Sequence, residues 1–103
     1  MPAEPRRVWT GIVLPVDLHN ALAEHVGPRG LTSAVASAMG QLVQRSKVPS
    51  RTRPPRDNGV VGMTLRLPVA VADAAERWRD DNGISRQAMV EYAALAALDE
   101  VRQ

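Results

Sequence analysis

Hydrophobic and polar residues alternate in two short stretches of the chain, residues 8–14 and residues 62–67. A period of two places successive side chains on opposite faces, which is typical of a strand with one covered face. Each stretch ends at a proline, Pro15 or Pro68, and proline cannot donate a hydrogen bond to a strand ladder. Because a two-stranded ribbon is only marginally stable alone, the pattern predicts two strands that pair antiparallel and are covered by helices on one face.

The same alternation predicts which strand side chains face outward. In the second strand, Thr64 and Arg66 alternate with apolar residues and are assigned to the outer face. In the first strand, one face is assigned to Val8, Thr10, Ile12 and Leu14, and the outer face to Arg7, Trp9, Gly11 and Val13. From Trp9 to Val13 the first strand is therefore expected to offer little hydrogen bonding on its outer face, and the second strand to offer more.

The two halves of the chain align without a gap when Pro15 is set over Pro68. Prolines, glycines and hydroxyl residues then recur at matching places, which indicates an internal repeat. After its strand, each half shows two stretches with apolar residues at the i, i+3, i+4 spacing of a helix. The predicted fold is mainly α with a two-stranded antiparallel ribbon, in the order strand, helix, helix, linker, strand, helix, helix.

Turn and cap residues mark where the predicted helices begin and end. Gly27 is expected to end the first helix and Gly83 the third, because glycine adopts the left-handed conformation common at helix C-termini. Thr32 and Ser85 are expected to be the N-caps of the second and fourth helices, since their hydroxyls can accept a bond from a free backbone N–H. Thr32 and Ser85 match in the alignment of the two halves, and Gly83 matches Gly30.

A basic, proline-rich segment separates the two repeats. Residues 45–58 hold three prolines, five basic side chains and no apolar period, which predicts a linker. The expected units are a first repeat over 1–44, the linker over 45–58 and a second repeat over 59–103, with both repeats in one compact domain. The basic excess of the chain lies in this linker, and such a concentration of positive charge suits a polyanionic partner.

The composition argues against several classes of site. The 103 residues include no cysteine, which excludes disulfides and thiolate metal sites and favours a reducing, cytoplasmic setting. No apolar run is long enough for a signal peptide or a membrane span. No metal-ligand cluster, phosphate-binding glycine loop or nucleophile motif is present. We therefore expect a protein that is not an enzyme and that needs neither cofactor nor metal.

Residues 63–95, MTLRLPVAVADAAERWRDDNGISRQAMVEYAAL, resemble the ribbon-helix-helix superfamily of Arc, MetJ and CopG, and residues 7–43 resemble it more weakly. In that family two chains each give one strand to a ribbon that enters the DNA major groove. Outward strand residues contact bases, and the start of the second helix holds phosphates. Two motifs in one chain imply a tandem pseudo-dimer that is a monomer in solution, with cooperative loading on DNA left open.

The resemblance implies a DNA-binding surface made of strand residues and helix starts. The residues expected to contact bases are Arg66, Thr64, Val13, Gly11 and Trp9. The residues expected to contact phosphates are Thr32, Ser33, Ser85, Arg86, Arg7, Arg51 and Arg53. An outward arginine can bond guanine O6 and N7 in bidentate fashion, and helix N-termini present free N–H groups to a phosphate. For Trp9 a packing role at a ribbon end or against the linker is the first interpretation and base contact the second. For the linker arginines the alternative is a solvated tether.

These features predict a sequence-specific double-stranded DNA-binding protein, in the first place a transcriptional repressor. Two alternatives remain open. A plasmid-partition or conjugative-transfer (relaxosome) accessory protein would use the same surface at another DNA site. An antitoxin-like protein-interaction module would instead use a partner surface such as the acidic segment 73–81. The DNA-binding alternatives imply a cytoplasmic protein associated with the nucleoid or a plasmid.

Overall fold

The computed structural model describes residues 6–27, 29–50 and 52–103. The bounds of its elements, in chain order, are β1 Arg6–Pro15, α1 Val16–Val26, α2 Leu31–Leu42, β2 Val60–Pro68, α3 Val69–Asn82 and α4 Arg86–Val101. The two strands pair antiparallel in a two-stranded sheet. The predicted antiparallel pairing within the chain and the predicted four helices are confirmed.

The pairing of β1 with β2 is regular up to Trp9 and shifts before Ile12. In this interval β1 contributes two residues, Thr10 and Gly11, where β2 contributes only Thr64. Gly11 has a φ of 70°, in the left-handed region that favours glycine. The feature is a β-bulge, in which one extra residue interrupts the alternation of a strand.

The bulge reverses the faces predicted for the first part of β1. Trp9, expected on the outer face, is only 2% exposed and belongs to the core. Val8 and Thr10, expected on the covered face, are exposed, Val8 by 52%. Beyond the bulge the predicted faces are right, because Ile12 and Leu14 are buried. A strict period of two is wrong here because the extra residue shifts the alternation by one position.

Each strand passes directly into a helix at its proline. Pro15 and Pro68 have extended backbone angles and immediately precede α1 and α3. Proline suits this junction because its fixed φ is compatible with a helix start and its missing N–H is not needed there. Gly27 ends α1 with a φ of 78°, and Gly83 ends α3 in the left-handed conformation, as predicted.

The second helix of each half begins differently. Ser85 is the N-cap of α4, and its Oγ accepts a hydrogen bond of 3.0 Å from the backbone N–H of Ala88, as predicted. Thr32 is not the N-cap of α2, because the helix begins one residue earlier, at Leu31. Gly30 precedes it in a helical conformation and no side chain caps this end. Thr32 therefore lies inside the first turn of α2, where its hydroxyl is not in the N-cap position.

One cluster of buried hydrophobic residues includes side chains from both strands and all four helices. Fully covered members from five of these elements are Leu14, Leu22, Met39, Leu67 and Met89. Burial of apolar surface is the main favourable term in folding, so the inner face of the ribbon is stabilised by the helical layer that covers it. The opposite face of the ribbon is left exposed.

The segment between α2 and β2 is held against the body of the protein. Its described residues contain no helix or strand. The carbonyl of Arg45 accepts a hydrogen bond of 2.6 Å from Trp78 Nε1, and Val48 packs on the core cluster. At the other end, the carbonyl of Gly59 accepts a 3.0 Å bond from the backbone N–H of Val16. The segment is therefore docked near both ends rather than a free tether.

Candidate nucleic-acid interface

The outer face of the ribbon carries different chemistry at its two ends. Arg6 and Arg66 lie at one end and are both exposed, with Val8 directly opposite Arg66. At the other end, Val13 lies opposite Gly62, and neither side chain has a hydrogen-bonding group. We call these the arginine end (Arg6, Val8, Arg66) and the valine end (Val13, Gly62). Charged and hydrogen-bonding groups are therefore concentrated at the arginine end.

Two threonines lie between these ends. Thr10 of β1 and Thr64 of β2 are both exposed at the bulge. A threonine hydroxyl can donate to or accept from a base edge, and its methyl can contact the methyl of thymine. The middle of the outer face is therefore polar but uncharged.

An open concavity of about 400 Å³ lies beside the arginine end, between the ribbon and the start of α2. We call it the α2 notch. Its lining residues are Arg6, Thr32, Ser33, Ala36, Thr64 and Arg66. None of these described residues carries a carboxylate, whereas two carry guanidinium groups. The positive lining favours an anion over a cation or a neutral apolar ligand.

The backbone at the start of α2 adds further donors to this notch. The first hydrogen bond of the helical ladder runs from the N–H of Ala34 to the carbonyl of Gly30, at 2.9 Å. The N–H groups of Leu31, Thr32 and Ser33 precede that bond, and no described side chain caps them. Free N–H groups and the positive end of the helix dipole together favour an anion at such a terminus.

The start of α4 is occupied by contacts within the protein. The side-chain amide of Gln87 accepts a 3.0 Å hydrogen bond from the backbone N–H of Val13 and donates to the carbonyl of the same residue. Both backbone groups of Val13 are thereby satisfied at an edge of the ribbon, where they would otherwise be open. Gln87 therefore clamps α4 to the valine end of β1.

Arg86 at the start of α4 is also engaged. Its guanidinium carbon lies 4.7 Å from the centre of the Trp9 ring, which is the geometry of a cation–π contact. Its Nε donates a 2.8 Å hydrogen bond to Oε1 of Glu76. The bulge explains this arrangement, because it turns Trp9 inward where the arginine can cover it. Arg86, predicted to contact a phosphate, is thus held by two groups of the protein itself.

Of the three other arginines predicted to contact phosphates, Arg7 forms an exposed ion pair. Arg7 Nε lies 3.7 Å from Asp73 Oδ1, and the side chains of Arg7 and Asp73 are 59% and 50% exposed. An exposed pair of this kind is weak, so it leaves Arg7 able to change partners. Arg51 lies outside the described residues.

Glu91 of α4 is a buried carboxylate that two linker arginines contact. Its Oε2 accepts hydrogen bonds from Nη2 of Arg53 and from Nη2 of Arg56, the latter at 3.2 Å. Glu91 is 0% exposed, whereas the two arginine side chains are each 42% exposed. Its Oε1 has no hydrogen-bond partner among the described residues. We call Arg53, Arg56 and Glu91 the Glu91 cluster.

The Glu91 cluster fixes where Arg53 and Arg56 point. Depriving a buried charge of its partner costs about 3–5 kcal/mol, because the remaining charge stays in a low-dielectric environment. An exposed ion pair, by comparison, contributes about 0.2–1 kcal/mol. Arginines that left Glu91 for a surface phosphate would therefore lose more than they gained. The predicted phosphate contact of Arg53 competes with a stronger contact inside the protein.

The predicted base-contact residues do not all share one surface. Arg66, Thr64 and Gly11 are exposed and Val13 is half-buried, whereas Trp9 is buried. Sequence reasoning missed Val8 and Thr10, which the bulge turns outward, and it also missed Arg6, Gln87 and Glu91. A glycine inside a strand pattern is a known sign of a bulge, so Gly11 was the available signal for the first two.

Two negative findings concern the part of the chain that the structure describes. None of its helices is long and apolar enough to cross a membrane. Within the same residues, no group of three or more histidine or carboxylate side chains could hold a metal ion.

Comparison of the chain with protein-family models, with curated proteins and with solved structures gives no match.

Proposed function

We propose that this protein binds double-stranded DNA sequence-specifically by inserting the outer face of the β1–β2 ribbon into the major groove. The major groove is wide enough to admit a two-stranded ribbon. Here such a ribbon has one face buried on helices and the other exposed, with arginine and threonine side chains on the exposed face. In this view the protein is a monomer in which two ribbon-helix-helix motifs form a pseudo-dimer.

The observation that carries the proposal is the α2 notch. It brings Arg66 and Thr64 of the ribbon beside Thr32 and Ser33 at an uncapped helix start. Base-reading and phosphate-holding groups must lie side by side in this way, because the phosphates border the groove that the ribbon enters. A phosphate in the notch would receive backbone N–H donors from α2 and positive charge from Arg6, while Arg66 would contact a base.

The ribbon would read the two halves of a site unequally. Arg66 is suited to bidentate hydrogen bonds with guanine, and Val8 opposite it is suited to a thymine methyl. Val13 and Gly62 at the valine end have no hydrogen-bonding side chains, so they would contribute shape and methyl contacts only. Discrimination between bases is therefore expected to be strongest under the arginine end.

A repressor is the simplest role for such a protein, since it would act by occupying its site. A partition or transfer accessory protein would use the same surface, and the location of the bound site separates these roles.

The first experiment is selection of binding sites from a pool of random duplexes, followed by mapping of the selected sequence on the source DNA. Failure of the folded protein to enrich any sequence would count against the proposal.

The second experiment tests Arg66. Arg66→Ala should cost on the order of 1–3 kcal/mol at one base position of the selected site, because one bidentate contact with guanine is lost. Affinity for a scrambled site at the same salt concentration should change much less. Arg102→Ala is the matched control, because Arg102 is exposed after the last turn of α4, the end opposite the one clamped to the ribbon. Equal losses on both DNAs would identify Arg66 as a phosphate or surface residue.

A further inference from the structure

The Glu91 cluster lies close to the proposed DNA-binding face. Gln87 clamps α4 to Val13 of the ribbon, and Glu91 follows Gln87 by four residues, on the same side of the helix. At 1.5 Å per residue this is about 6 Å further along α4. The linker that carries Arg53 and Arg56 also reaches the ribbon at this end, where the backbone N–H of Val16 is bonded to the carbonyl of Gly59 and Pro15 pairs with Val60.

The cluster removes positive charge from this flank. Both guanidinium groups donate to a single oxygen, Oε2 of Glu91, and therefore lie side by side. Glu91 cancels one of their two charges and orients one Nη2 of each inward. Because Glu91 is fully buried, the arginines cannot leave it without stranding its charge.

We propose that Glu91 acts as an internal competitor for phosphate, holding Arg53 and Arg56 of the linker away from DNA and so lowering the sequence-independent part of its affinity. This inference rests on the proposed DNA-binding function. It assigns Glu91 to the control of electrostatic binding rather than to base reading. Its effect is therefore the same on cognate and random DNA, which distinguishes it from the effect of Arg66.

The central variant is Glu91→Gln, which keeps the size of the side chain and removes its charge. The two arginines are then released, and each can add one phosphate contact. The slope of log K against log salt on a random duplex should steepen by about 0.9 for each new contact. Affinity at 0.1 M salt should rise on the order of tenfold for each contact, while the ratio of cognate to random affinity stays unchanged.

The matched control is the triple variant Arg53→Gln, Arg56→Gln, Glu91→Gln, which removes all three charges and leaves no buried ion. Wild-type protein should resemble the triple variant more closely than it resembles Glu91→Gln, in both affinity and slope. If wild type instead matches Glu91→Gln and the triple variant is much weaker, the arginines already contact phosphates and the proposal is overturned. An unchanged slope in folded Glu91→Gln also overturns it.

A second probe separates this inference from the proposed function. Elution from heparin-agarose tests competition for a polyanion without requiring any DNA site. Glu91→Gln should elute at higher salt than wild type and the triple variant near wild type, even if wild type selects no duplex. Absence of the heparin shift would reject the inference, whereas absence of duplex binding would reject the proposed function.

A measurement on the wild-type protein covers the case in which Glu91→Gln does not fold. The arginine Nε–H signals in an NMR spectrum report on each guanidinium group. On titration with heparin or with a random duplex, the signal of Arg66 should move while those of Arg53 and Arg56 stay in place. Shifts of the Arg53 and Arg56 signals as large as that of Arg66 would contradict the proposal.

Discussion

The starts of α2 and α4 occupy matching places in the two halves of the chain but differ in what they leave open. At α2 no side chain caps the helix, and Thr32 and Ser33 face a notch beside Arg66. At α4 the side chain of Ser85 caps the helix and Gln87 is bonded to the ribbon. One start is open toward the ribbon and the other is used to hold the fold together. Repetition of a sequence pattern therefore does not imply repetition of a function.

The difference arises from a few residues. Gly30 lets the backbone enter α2 without a polar cap, whereas Ser85 supplies one to α4. A Cβ at Gly30 would approach the carbonyl oxygen of Val26 to 2.4 Å, so only glycine fits this turn. The open start is therefore fixed by steric requirements of the turn before it. Two predictions test the contrast between the open start of α2 and the closed start of α4, and a third compares the two ends of the ribbon; they run from the largest expected effect to the smallest.

The closed start depends on Trp9, which lies beneath Arg86. Trp9→Ala should lower the free energy of unfolding by about 3–5 kcal/mol, because a large buried side chain is removed and a cavity is left. Val8→Ala, at the neighbouring exposed position, should change it by less than about 0.5 kcal/mol. Urea denaturation of both variants measures the difference. Similar values for the two would mean that the bulge at Gly11 does not set the faces of β1.

Patterns with a short range were predictable from the sequence. Each of these residues acts on its immediate neighbours, so its role is visible in the sequence: the prolines that end both strands, the glycine that ends α3 and the serine that caps α4. The bulge is different, because its effect on Trp9 depends on how β1 pairs with a strand far along the chain. The sequence pattern predicted that β1 pairs with β2, but the only sequence sign of the extra residue in β1 is Gly11.

The contacts of Glu91 could not be predicted from the sequence, for another reason. In the sequence it is a charged residue that interrupts the apolar face of a helix, and nothing local shows which cations meet it. Its partners lie 38 and 35 residues away, in a segment with no periodic pattern. Only the packed chain shows that the linker covers this position. Long-range polar pairing is the part of the candidate site that composition and spacing do not determine.

The two helix starts should respond in opposite ways to removal of a hydroxyl. Ser85→Ala should cost about 1 kcal/mol of stability, because the cap of α4 is lost. It should alter DNA affinity little. Thr32→Ala should leave stability within about 0.5 kcal/mol, since Thr32 is exposed and caps nothing, and should weaken binding to cognate and random duplexes alike.

Thermal unfolding and duplex binding are measured on both variants. Ser85→Ala should lower only the stability, and Thr32→Ala only the affinity for DNA. If Thr32→Ala destabilises the protein as much as Ser85→Ala does, the open start of α2 has a structural role after all. Weaker DNA binding by Ser85→Ala at full folding would show that the start of α4 is also part of the surface.

The smallest expected effect concerns the contact of Val8 with one methyl group of the DNA. It compares the arginine end of the ribbon, which includes Val8, with the valine end. If Val8 contacts a thymine beside the guanine read by Arg66, replacing that thymine by uracil should weaken binding about fourfold, since a buried methyl contributes about 0.8 kcal/mol. In Val8→Ala the same replacement should have little effect, because the side chain that touched the methyl is shortened. The coupling between the two changes isolates the contact. Val13→Ala at the valine end is the control, and it should leave the penalty for uracil at this position unchanged. An equal penalty in wild type and Val8→Ala would show that the bulge turns Val8 outward without bringing it to a base.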